Sequence, residues 1–164
     1  MILEPIRLLL FPALMAFAAS SDLFTMTISN KVSLALVAGF FVMAPLIGMS
    51  AGEIGMHAAA AAVVLVVAFA FFTQGWVGGG DAKLAAAASL WFGFDHLLPY
   101  LVDAALLGGA LTLLLINFRL LPLPPRIAQW GWVARLHEKK GGVPYGIALA
   151  AAALIVYPDT IWMK

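Results

Sequence analysis

Gln74-Gly75-Trp76-Val77-Gly78-Gly79-Gly80-Asp81-Ala82-Lys83 sets one carboxylate behind three glycines and in front of an alanine-rich run. What Asp81 means depends on the chain around it. That chain is 64% hydrophobic and only 10% charged, against about 25% charged residues in a soluble domain. Such a composition fits an all-α, polytopic integral membrane protein. A carboxylate at membrane depth is costly and normally faces a bundle interior or a water-filled cavity. Asp81 therefore needs a purpose, and the fold has to supply it.

Outward from this stretch, six hydrophobic segments fall at residues 6–19, 32–47, 57–72, 82–94, 97–118 and 143–161. Each approaches the roughly 20 residues that span a bilayer. Capping at the interface or local thinning would accommodate the shorter ones. Together they predict a bundle of about six transmembrane helices and a single domain over residues 1–164. Ala16-Phe17-Ala18 has the form of a signal-cleavage site, but Glu4 beside Arg7 makes the preceding region less than basic. A retained first helix is expected.

Residues 119–142 form the one sizeable polar stretch. Pro122, Pro124 and Pro125 block a helix at its start. Ile127, Trp130, Val133, Ala134 and Leu136 then recur at helical spacing, which predicts a short helix lying in the interface. With six spans, seven of the nine basic residues fall on one side: Lys31, Lys83, Arg119, Arg126, Arg135, Lys139 and Lys140. Arg7 and Lys164 fall on the other. The positive-inside bias makes the rich side cytoplasmic and puts both termini outside.

Several function classes drop out. The chain has no cysteine, so thiolate metal sites and cysteine nucleophiles are absent. His57, His96 and His137 lie far apart and form no ligand-spaced motif, so neither metal nor cofactor is expected. A net charge of +1 gives no nucleic-acid surface.

In the six-span topology, Asp22 and Asp81 fall at the same depth on the basic side. Two carboxyls held close in a low-dielectric site do not both ionise easily and titrate as a unit. The ionised member draws a proton from water while the other donates to a carbonyl oxygen, which is metal-free peptide hydrolysis. Gly78, Gly79 and Gly80 leave room for a substrate strand. The plainer alternatives are that Asp81 caps a helix and that Asp22 sits in a wet loop.

Gly78-Gly79-Gly80-Asp81 matches the GxGD motif of intramembrane-type aspartic proteases. Gly78 to Leu84 resembles the second-aspartate motif of the type IV prepilin peptidases. Asp22 with Ile28-Ser29-Asn30 resembles the first-aspartate segment, with Ser29 where proline is common. Pro144-Tyr145-Gly146 resembles the motif that opens the family's last helix. The short chain, lacking the tetracysteine cluster of bifunctional members, is most similar to the small peptidases of tight-adherence (Flp-type) pilus systems, the CpaA/TadV-like group.

The resemblance implies a peptidase of the bacterial inner membrane. It would remove the short leader of a prepilin at the cytoplasmic face without methylating the product, in contact with the pilus assembly machinery. It implies catalytic roles for Asp22 and Asp81 and a lining role for Pro144, Tyr145 and Gly146. Asn30 either holds the loop near Asp22 or caps the second helix. Lys83 either tunes the site, binds substrate or snorkels to the interface. Asp103 serves either a proton path or a hydrogen bond inside the bundle. Gln74 and Trp76 would shape substrate access.

Two other functions fit buried acids and glycine-interrupted helices. One is a small proton- or cation-coupled transporter subunit using Asp22 and Asp81, although the chain shows no inverted repeat. The other is a non-catalytic assembly factor whose acids serve helix packing.

Overall fold

The protein is described here by a computed structural model covering residues 3–139 and 141–164. Lys140 of the basic stretch, and Met1 and Ile2 of the signal-like start, lie outside the described residues. The described chain is helical: α1 (Leu3–Thr25), α2 (Asn30–Leu46), α3 (Ala51–Thr73), α4 (Gly79–Leu120), α5 (Pro125–Ala128), α6 (Gly131–His137) and α7 (Tyr145–Val156), followed by a short 3-10 turn, Tyr157–Asp159. Three helices are long and apolar enough to cross a membrane, and α2 and α7 are shorter apolar helices. Large apolar side chains face outward along them, including Val66, Phe69, Leu98 and Leu114. Lipid is the solvent that tolerates such a surface.

Helix ends depart from the hydropathy limits for local reasons. α1 continues to Thr25, because the hydroxyls of Ser20 and Thr25 bond the carbonyls of Ala16 and Ser21 four residues back within the helix. Asp22 is thereby on the last helical turn, not in the loop. α3 starts at Ala51 through a capping box, in which Ser50 Oγ accepts from Glu53 N–H while the Glu53 carboxylate accepts from Ser50 N–H at 2.7 Å. α3 ends in a Schellman turn, with Gly75 N–H bonded to Phe72 O and Trp76 N–H to Phe71 O. The polar stretch holds two short helices, α5 and α6, where one was expected, because Trp130 between them is extended.

The decisive departure is in α4. Its 42 residues are interrupted at Gly93, which has φ 59° and ψ −170°. That region is essentially reserved for glycine. Beyond it the chain turns back. Trp162 Nε1 donates to Trp91 O at 2.7 Å at one end of α7, while Tyr145 at the other end packs on Gly108. Gly80, at the start of α4, packs on Ile28, which also touches Gly146. Only a reversal at Gly93 puts both Gly80 and Gly108 at the Tyr145 end of α7. The fourth and fifth hydrophobic segments are therefore the two halves of α4.

An aromatic cluster closes the opposite end. Phe11 stacks on Tyr157 with centroids 4.7 Å apart, and Trp91 lies 4.5 Å from Trp162. Tyr157 OH donates to Arg7 O, and Trp91 Nε1 donates to Leu36 O. These bonds tie α1, α2, α4 and α7 together, with the indole and phenol donors satisfied inside an apolar core.

A side chain at position 93 meets two penalties. The backbone is left-handed, and an added Cβ falls 2.7 Å from His57 Nε2. Gly93→Ala is expected to destabilise the protein by about 1–3 kcal/mol, read as a lower thermal midpoint in detergent by circular dichroism. Gly109 faces open space on the same helix. There, Gly109→Ala should hold or raise the midpoint, by up to about 1 kcal/mol of helix propensity. Equal losses at the two positions would refute the break as the reason.

Candidate active site

The α1–α2 turn builds one wall. Met26 follows α1 with φ 55°, and the Ser21 and Thr25 hydroxyls both reach the Thr27 carbonyl, at 3.0 and 3.2 Å. Bonds from both sides fix Thr27 and aim Ile28 inward. Ile28 then fits between two glycines. A Cβ on Gly80 would stand 3.2 Å from Ile28 Cβ, and one on Gly146 would stand 2.8 Å from Ile28 Cδ1. A methyl at Gly146 would force Ile28 or α7 to shift, and one at Gly80 would press on Ile28, so the bare backbones favour the close approach of both helix starts to the turn.

Asp22 lies in this junction, 5% exposed. Its Oδ2 accepts a 2.8 Å hydrogen bond from Gly146 N–H. That N–H is one of the unsatisfied donors in the first turn of α7, so the carboxylate and the helix start satisfy each other. A Cβ on Gly146 would fall 2.8 Å from the same oxygen. Pro144, fully buried, opens α7 at its N-cap, and Tyr145 beside it is partly buried against Gly108.

Asp81 occupies the first turn of α4, partly buried, and its Oδ2 folds back over Gly78. A Cβ at Gly78 would meet that oxygen at 2.7 Å, and one at Gly79 would meet the Phe72 ring at 3.3 Å. Asp22 and Asp81 lie within electrostatic reach of each other. Among the described residues no hydrogen bond joins the two carboxylates, and the one ion pair, Arg7 with Glu4, is elsewhere. Neither aspartate has a cationic partner among those residues.

Lys83 and Asn30 meet each other rather than the carboxylates. Lys83 Nζ donates to Asn30 Oδ1 at 2.9 Å, an exposed link from α4 to α2. The N-cap of α2 is Ser29, whose Oγ accepts from Lys31 N–H, so Asn30 is free for this link. The structure thus gathers Asp22, Asp81, Gly78, Gly80 and Gly146 around Ile28, with Pro144 and Tyr145 at one edge and Lys83 with Asn30 at another. Gln74 and Trp76 are exposed in the α3–α4 turn.

Three residues at or near the site escaped the sequence reading. Tyr100 is fully buried, its hydroxyl has no partner, and it lies within electrostatic reach of Asp81. Only the reversal at Gly93 brings it there. Arg119 donates from Nε to Leu136 O at 2.8 Å and from Nη2 to Gly142 O at 2.6 Å. It pins the polar stretch where the chain enters Pro144. Ile28 was visible within the first-aspartate segment, and its contact with both glycines was not.

Two carboxylates with no cation beside them among the described residues, next to glycines at one end of an apolar bundle, form an arrangement suited to general acid–base chemistry. Among the described residues no group of three or more histidines and acids is placed to hold a metal ion. No curated protein and no solved structure matches the chain significantly. The profile of the type IV leader peptidase family matches residues 9–113, well over half of the chain, and this span contains Asp22 and Asp81 but not Pro144-Tyr145-Gly146. On that match, and with its outward-facing apolar helices, this chain is a membrane protein of the type IV leader peptidase family.

Proposed function

We propose that Asp22 and Asp81 are the catalytic pair of an aspartic endopeptidase that removes the leader of Flp-type prepilins at the cytoplasmic face of the bacterial inner membrane. One observation carries this reading. Asp22 is buried where α1, α4 and α7 meet, oriented by the Gly146 N–H, with Asp81 in electrostatic reach. Uncompensated carboxylates inside a membrane bundle are expensive and mark function.

In the proposed reaction the ionised carboxylate takes a proton from a water, whose oxygen attacks the carbonyl carbon of the scissile peptide bond. The protonated partner gives its proton to the carbonyl oxygen. Collapse of the tetrahedral species breaks the C–N bond as the leaving nitrogen takes up a proton, and both carboxyls return to their starting states. The Gly146 N–H holds one oxygen of Asp22 and leaves the other for water. Gly78, Gly79 and Gly80 let the substrate backbone approach Asp81 without obstruction.

The described basic residues Lys31, Lys83, Arg119, Arg126, Arg135 and Lys139 belong to the site-bearing end of the helices, which supports a cytoplasmic site with both termini outside. The reading covers leader removal without methylation, in keeping with a chain that contains no cysteine.

Leader removal from a co-expressed Flp-type prepilin, followed on a gel, tests the pair. Asp22→Asn and Asp81→Asn are each expected to lower the rate by about 10²- to 10⁴-fold, with the protein still present in the membrane. Cleavage that survives both changes sinks the assignment. Gly146→Ala pushes directly on Asp22 Oδ2 and Ile28. Its expected effect is a fall of about 10²-fold in kcat, whereas Gly109→Ala should cut at the normal rate.

A further inference from the structure

The segment that enters α7 delivers the Gly146 N–H to Asp22, and a side chain from α4 fastens that segment. Arg119, in the last turn of α4, spreads its guanidinium over two carbonyls. It donates from Nε to Leu136 O at 2.8 Å and from Nη2 to Gly142 O at 2.6 Å. Leu136 lies in the last turn of α6, where carbonyls lack internal partners and the helix dipole favours a cation. The turn that follows is drawn tight around the guanidinium. Gly141 N–H donates to Glu138 O at 2.9 Å, and a Cβ on Gly141 would fall 3.1 Å from that oxygen and 3.5 Å from Arg119 Nη2. Among the described residues Arg119 has no carboxylate partner. Its donors go to the backbone of this one segment.

The path from Gly142 to Gly146 has little slack. Pro144, with φ −73° and ψ 78°, forms an inverse γ-turn closed by Tyr145 N–H donating to Val143 O at 2.8 Å. The proline ring fixes φ, and the residue is fully buried. Tyr145 packs on Gly108. The next residue is Gly146, whose N–H meets Asp22 Oδ2 at 2.8 Å. The same polar stretch also touches α1 just beyond Asp22. Trp132 of α6 lies edge-on to Phe24 with centroids 5.6 Å apart, and a Cβ on Gly142 would stand 3.8 Å from Met26 Cε.

We propose that Arg119 is a positioning residue for Asp22: by clamping Leu136 O and Gly142 O it sets where α7 begins, and so where the Gly146 N–H meets the carboxylate. The proposal deepens the peptidase reading given above and rests on it. The fork matters as much as the charge. A guanidinium presents Nε and Nη donors in one fixed plane, whereas a lysine ammonium carries its donors at a single point. Arg119→Lys therefore keeps the charge and loses the simultaneous hold on two carbonyls. The start of α7 then shifts, and the donor to Asp22 Oδ2 shifts with it.

Two readouts on the full chain test this. The first is leader removal from a purified prepilin in lipid nanodiscs. Arg119→Lys and Arg119→Met are each expected to lower kcat about 10-fold with KM little changed, as for a small misplacement of a reacting group. Arg126→Met, which removes an exposed cation from the same polar stretch, should cut at the wild-type rate. The second readout needs no substrate. In micelles, with isotope-labelled glycine, the Gly146 amide signal is assigned by its loss in Gly146→Ala. It is expected to move upfield in Arg119→Lys and in Asp22→Asn, and to stay in place in Arg126→Met. If Arg119→Lys and Arg119→Met cut at the wild-type rate, or slow cleavage without moving the Gly146 signal, the proposal is overturned and the peptidase reading stands. Full activity in Arg119→Lys beside a loss in Arg119→Met also overturns it, because charge alone would then suffice. So does a lower thermal midpoint in Arg119→Lys with shifts at every glycine signal, which marks a general loss of folding. A wild type that cuts no prepilin, or Asp22→Asn that cuts normally, overturns the peptidase reading and this proposal with it.

Discussion

A buried carbonyl must find a donor, and α4 breaks where no water can supply one. The carbonyls of Leu90 and Trp91, at the end of its first half, belong to residues that are almost wholly buried. Each receives a side chain from another part of the chain: Leu90 O pairs with His57 Nδ1 of α3 at 2.8 Å, and Trp91 O with Nε1 of Trp162, beyond α7, at 2.7 Å. Since a carbonyl only accepts, His57 carries its proton on Nδ1. Its ring stacks on Phe40, which keeps it aimed at the break. With these bonds in place Gly93 can reverse the chain, and the reversal returns the second half of α4 to the end where Asp81 began. Tyr100, Gly108 and Tyr145 owe their nearness to the carboxylates to two satisfied carbonyls at the opposite end of the bundle.

Close approach is the second constraint, and it is enforced by absence of side chains. In lipid, helices are held by packing and hydrogen bonds more than by burial of apolar area. The junction around Ile28 illustrates this. Gly80 and Gly146 accept a branched side chain between two helix starts, and Gly108 accepts the Tyr145 ring. With alanine the contacts at Gly146 and Gly108 would be steric overlaps, and the one at Gly80 a tight 3.2 Å. The same closeness brings the Gly146 N–H to Asp22, so packing and the hydrogen bond that orients the carboxylate come from one glycine.

Much of this was legible in the residues. The apolar composition set the all-helical membrane class, and the order of the Asp22, Asp81 and Pro144-Tyr145-Gly146 motifs led to the family that the match over residues 9–113 bears out. Hydropathy located the apolar stretches, because lipid selects for them directly. It did not locate the start of α3 or the end of α1, which depend on Ser50 with Glu53 and on Ser20 and Thr25. Such side chain–backbone bonds leave no hydropathy signature. Nor did it reveal Gly93, since one glycine within an apolar run reads as a packing residue until its φ is known. Tyr100 was hidden for a related reason: its interest lies in having no partner, which is a property of the assembled fold.

The placement of Lys83 bears on why the acids are kept. A lysine two residues from Asp81 is well situated in sequence to neutralise it. Instead Lys83 donates to Asn30 on α2, and among the described residues neither Asp22 nor Asp81 has a cationic partner. A bundle selected for stability alone would pair these charges or replace them with apolar residues, which often costs nothing or even stabilises. Local rules broken without local compensation concentrate at functional sites. With Lys83 held at Asn30, its ammonium does not neutralise either carboxylate, and both stay available for the acid–base role proposed for them.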